Sequence, residues 1–215
     1  SGISMTLNFV KSSFWILFIA NIANVAQYSS QLILGRYLQV ADYGIFNAVN
    51  SLSLVVVTFV AVIPFIVSKY MIRFQHDLDF RNKLLQKITN FVFFSNLLFF
   101  VFLFLIANNL RQFLKIDSLT PIYIFIFLIL FNVIYTLYDS ILQGLKMYVT
   151  RAIQGAALVF IRLFFILLLV VYLSHSYNAA LLSQILATII VLGFIYQIST
   201  KTTRVANKNI KIPRK

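Results

Sequence analysis

GAALVFIRLFFILLLVVYL, residues 155–173, decides the fold. Arg162 is its only charged residue, and the run is close to the ~20 apolar residues that carry a helix across the hydrocarbon core of a bilayer. Five further runs of similar character, 14–34, 45–68, 88–107, 119–142 and 179–198, leave only short connections between them. A soluble domain of 215 residues does not have this composition: 61% of the residues are hydrophobic, 23 are Phe and 11% are charged, against ~25% charged in an ordinary globular chain. The sequence therefore predicts an all-α, polytopic membrane protein with six transmembrane helices within 1–200 and a basic tail at 201–215. No soluble domain fits in what remains. The start, SGISMT, has no Met at position 1; Met5 is a candidate native start behind a Ser-Gly scar, and an excised fragment would look the same. A cleavable signal peptide is not expected, because the first apolar run is too long and no small-residue cleavage site follows it.

The net charge of +13 is distributed by topology. Lys11 precedes the first run; Lys69, Arg73, Arg81, Lys83 and Lys87 lie between the second and third; Lys146 and Arg151 lie between the fourth and fifth; six more follow the sixth. The other set of connections holds only Arg36, Arg111 and Lys115. This asymmetry is the positive-inside pattern and predicts that both termini are cytoplasmic, with the excess charge facing anionic lipid headgroups. No basic, aromatic-interleaved surface stands outside the runs, so nucleic acid is not an expected partner. The segment 69–87, with Met71, Phe74, Leu78 and Leu84 among its charges, is expected to form a short helix lying in the interface. Pro64 should kink or end the second span, and Pro121 suits the first turn of the fourth.

Groups that could do chemistry are scarce. With no cysteine there is no disulfide, thiolate or Cys-based metal site. The two histidines, His76 and His175, fall on opposite sides of the predicted membrane and cannot share a metal or a triad; His76 reads as a solvated loop residue. Neither G-x-S-x-G nor H-E-x-x-H occurs. The chain is not expected to be an enzyme or to hold a metal or cofactor.

Polar groups inside the spans are the informative feature. Asn21, Asn24, Gln27 and Gln31 fall at about 0°, −60°, −120° and −80° around a helix axis and so share one arc. They either line a wetted cavity or serve as interhelical hydrogen-bonding groups. Asn47 and Asn50 lie near the start of the second span. Arg162, roughly 12 Å deep, and Asp139, roughly 5 Å deep on the same side, are predicted either to pair with each other or, for Arg162, to attract an anionic substrate in a cavity. Arg36, behind Gly35, either caps the outer end of the first span and anchors to headgroups or touches substrate.

The stretch GRYLQVADYGIFNAVNSL, 35–52, resembles a signature of the oligosaccharide flippases of polysaccharide biosynthesis, within the multidrug/oligosaccharidyl-lipid/polysaccharide exporter superfamily. Gly35, Arg36, Leu38, Asp42, Tyr43, Gly44 and Phe46 carry the match, and Arg162 sits where similar proteins often have an Arg. The resemblance implies one N-terminal six-helix lobe of a two-lobe transporter that moves a lipid-linked oligosaccharide, a precursor of lipopolysaccharide or capsule, across the cell inner (plasma) membrane by alternating access. It also implies a missing C-terminal six-helix lobe, or a second copy, as partner, with 201–215 as the inter-lobe linker. The implied cavity lining is Asn21, Asn24, Gln27, Gln31, Arg36, Asn47, Asn50, Asp139 and Arg162, with Arg36 closing the outer mouth and the pyrophosphate meeting Arg162 or Arg36. Two alternatives stand beside it, an ion-coupled multidrug exporter of the same superfamily and a non-catalytic membrane scaffold in envelope polysaccharide assembly. Against the exporter, the first two spans hold no acidic residue to bind an ion, and Asp139 is the one candidate within a span.

Overall fold

A computed structural model describes residues 2–74 and 77–208, and all of its regular structure is helical. The elements are α1 (Gly2–Tyr37), α2 (Val40–Val60), α3 (Val62–Arg73), α4 (Leu78–Leu105), α5 (Ala107–Phe113), α6 (Thr120–Gly144), α7 (Tyr148–Ile166) and α8 (Tyr177–Lys208), with a π-helical stretch, Leu167–Ser174, continuing α7. Among the described residues five segments are long and apolar enough to cross a membrane: Val40–Arg73, Phe80–Leu105, Thr120–Gly144, Tyr148–Ser174 and Tyr177–Ser199. The protein thus has the build of a multi-pass membrane protein. The expected first span, 14–34, lies within the long helix α1 but is not one of the five, because its amides and serines dilute the apolar residues.

The second span is broken where proline chemistry demands. α2 ends at Val60 and α3 begins at Val62. Pro64 cannot donate to the Val60 carbonyl and its ring crowds that carbonyl, so the ladder interrupts at Ala61. Pro121 stands in the first turn of α6, where the missing N–H is harmless. The interfacial helix expected over 69–87 does not form as a separate element. Lys69–Arg73 prolong α3, and residues 80–87 belong to the start of α4, whose N-terminus is capped by the Asp77 side chain accepting from Phe80 N at 3.0 Å. His76 lies outside the described residues. α8 runs on to Lys208, so the expected tail begins as helix, and 209–215 lie outside the described residues.

The core is built around α6. Ile122, Phe125, Ile126, Ile129 and Leu142 on it are almost wholly buried, and it packs against α8, α3, α4 and α2. Gly144 permits a close approach of α3 to α6, since a Cβ there would lie 2.6 Å from Met71 Cγ of α3. Asn96 of α4 donates to the Leu130 carbonyl of α6 at 3.0 Å, which gives a buried amide a partner in an apolar setting. α7 packs on α8, and α1 packs on α7, running beside it in the same direction until Tyr37 and His175 bring their rings within 5.8 Å at the far end. α2 turns back from α1 at Leu38, where Leu34, Leu38 and Phe46 bury together, and leans on α6 and α8. α1 and α2 therefore meet at this corner and bound an open space whose floor is α7 and α8.

Candidate functional site

That space is a cleft of about 330 Å³. Gln27 and Gln31 enter it from α1, Asn47, Asn50, Ser51 and Ser53 from α2, Arg162 from α7 and Gln184 from α8. Helical periodicity puts Gln27 and Gln31 a turn apart on α1, and Asn47, Asn50 and Ser51 a turn apart on α2, so each helix offers one polar strip. The strips are partly satisfied by each other. Tyr43 donates its hydroxyl to Gln31 Oε1 at 3.2 Å, Gln184 Nε2 donates to Asn50 Oδ1 at 3.1 Å, and Asn47 Nδ2 donates to the Tyr43 carbonyl at 3.0 Å. Ser51 and Ser53 turn back to carbonyls of their own helix. What stays open is a mixture of amide N–H donors and carbonyl acceptors, the complement of a hydroxyl-rich ligand.

Arg162 supplies the charge. Its Nη2 donates to Gln27 Oε1, and its Nε is buried without a hydrogen-bond partner among the described residues. A guanidinium in mid-helix costs ~2.5–3.5 kcal/mol on insertion scales, and a neutral amide offsets only part of that. No carboxylate balances the guanidinium among the described residues, so Arg162 gives the cleft wall an uncompensated positive charge.

The structure does not gather every residue of the predicted set. Asp139 does not pair with Arg162. Both of its carboxylate oxygens accept from Arg151 Nε, at 2.9 and 2.8 Å. The reason is the short turn between α6 and α7: Arg151 stands in the first turn of α7 directly beyond it, whereas Arg162 is about three turns further along. Asn24 lines a different opening, between α1 and α7, and Asn21 is exposed and donates to the Leu17 carbonyl of its own helix at 2.8 Å. The opening that holds Asn24 shares none of its lining residues with the cleft of Gln27 and Gln31, and Asn21 lines neither. Arg36 is exposed at the end of α1 and is not among the cleft-lining residues. Of the segment that carried the family resemblance, Leu38 and Phe46 pack the α1–α2 corner and Tyr43 reaches Gln31, while Gly35 and Gly44 have open space where a Cβ would stand.

Gln184, Ser51 and Ser53 line the cleft but were missing from the predicted set. The signal for Gln184 was a glutamine in a mostly apolar stretch, LLSQILATII, the same signal that marked α1. No protein-family model, curated protein or solved structure matches the chain.

Proposed function

We propose that the chain is one six-helix lobe of a transporter that carries a lipid-linked oligosaccharide across the cell inner (plasma) membrane by alternating access. In this reading α1 is a sixth crossing, tolerated despite its amides because they face the cleft and α7, and the bias of basic residues puts both termini in the cytoplasm. One observation carries the proposal: Gln27, Gln31, Asn47, Asn50 and Gln184 converge with Arg162 on a single cleft. Neutral amides suit sugar hydroxyls, and the positive charge of Arg162 in the cleft wall suits the pyrophosphate that joins sugar to lipid. A C-terminal lobe or a second copy would supply the opposite wall. The family signature at 35–46 points the same way, and nothing in the inventory of side chains calls for enzymatic chemistry or a cofactor. The ion-coupled exporter is less well supported, because Asp139 is engaged by Arg151 away from the cleft and Arg162 would repel a cationic drug.

Binding tests this directly. A purified lipid-pyrophosphate-linked oligosaccharide should raise the unfolding midpoint of the detergent-solubilised chain, as any ligand of the native state does. Arg162→Gln and the Gln27→Leu/Asn50→Leu pair should each abolish the rise. The same rise from the polyprenyl pyrophosphate without sugar, or a full rise in both variants, would contradict the proposal.

A further inference from the structure

A second opening lies between α1 and α7, with a volume of about 490 Å³. Its walls are mostly small residues, Ala20 and Ala23 on α1 and Ala152, Gly155 and Ala156 on α7, with Ile16 and the amide of Asn24 beside them, and they leave a slot between the helices. Its mouth holds Tyr148 and Arg151. Tyr148 is the first residue of α7, just past the short turn from α6, so the mouth lies at the boundary of the apolar layer and the slot runs inward from it.

Arg151 is not spent by its ion pair. Asp139 takes only the Nε side of the guanidinium, the side chain stays 38% exposed, and no hydrogen bond from either Nη to a described residue accompanies the pair. Lys146, exposed on the turn beside it, adds a second positive charge. The N-terminus of α7 adds its dipole. A cation with an outward edge, seated above an apolar slot at the membrane boundary, matches the join between a phosphate and an acyl chain.

We propose that this groove seats one acyl chain and the phosphate of an anionic phospholipid, the phosphate resting on the outward edge of Arg151 and Asp139 acting as a positioning residue that holds the guanidinium at the mouth. A zwitterionic lipid fits less well, because its ammonium group would stand against Lys146 and Arg151. The inference needs only a membrane-spanning bundle and is independent of what the α1–α2 cleft carries.

Trp15, the only tryptophan in the chain and half exposed, adjoins Ile16 of the groove and reports on it. The whole chain is reconstituted in vesicles holding either dibrominated phosphatidylglycerol or dibrominated phosphatidylcholine, and quenching of Trp15 is followed against mole fraction. Phosphatidylglycerol should quench at about fivefold lower mole fraction. Gly155→Leu, at a position where an added Cβ meets nothing within 4 Å, puts a branched side chain into the slot and should erase the preference. The Arg151→Gln/Asp139→Asn double variant, which strands no carboxylate, should erase it too. Equal quenching by the two lipids in the wild type, preference surviving in either variant, or displacement of the lipid by soluble glycerol phosphate would each overturn the assignment.

Discussion

Arg151 and Arg162 stand on one face of α7, about three turns apart, and are treated in opposite ways. Arg151, near the membrane boundary, has a carboxylate against it, and the pair locks the α6–α7 turn. Among the described residues Arg162, deeper in the helix, has only the neutral Gln27 as a partner and keeps a buried Nε with none. If both cations served packing, the deeper one, where an uncompensated charge is most costly, would be the one given the acid. The difference separates an ion-paired fastener from a cation without a carboxylate among the described residues, the one that the proposed transport would use.

Substitutions should break the two sites unequally. The largest effect is expected for Arg151→Leu, which strands the Asp139 carboxylate at 8% exposure and should lower stability by about 3 kcal/mol, at the low end for a broken buried pair because Arg151 is itself partly exposed. Adding Asp139→Leu should recover most of the loss. Unfolding of both variants in detergent, followed by helical signal, checks this. Arg162→Leu should change stability by about 1 kcal/mol or less in either direction, since relief of a poorly compensated charge offsets the lost contact with Gln27. Losses of equal size at the two arginines would erase the contrast. Gln27→Ala should cost least, about 0.6 kcal/mol for one interhelical hydrogen bond, and a much larger loss would make Gln27 a packing residue first.

Much of this was readable from residue order, and the limits have physical causes. Apolar runs fix helices because a bilayer admits little else, so five of the predicted spans correspond to segments apolar and long enough to cross. The Pro64 break followed from a missing donor and a crowded carbonyl. Rotation about the α1 axis was readable as well, since it depends only on the 3.6-residue period. Which neighbour faces each part of that arc was not. Asn24 and Gln27 differ by one turn, yet they line two different openings, one bounded by α1 and α7 and the other also by α2 and α8. The partner of Asp139 was misjudged because depth along a helix was weighed above chain proximity: two helices joined by a short turn bring their adjoining ends together, which favoured Arg151 over the more distant Arg162. The amphipathic look of 69–87 also misled, because a span can begin with a charged turn before it becomes apolar, as α4 does.

The most direct measurement is thiol accessibility along the cleft. The chain has no cysteine, so each substitution creates a single reactive group. In bilayers, Cys at Asn47, Asn50 and Gln184 should react with a charged, water-soluble methanethiosulfonate, while Cys at Val25 and Phe59, apolar positions exposed at 66% and 78% and outside the cleft lining, should stay silent in lipid. With Arg162→Gln added, the cleft positions should still react but lose their preference for anionic over cationic reagent. Silence at all three cleft positions, or reaction no faster than at Val25 and Phe59, would contradict a water-filled cleft with Arg162 as its available cation.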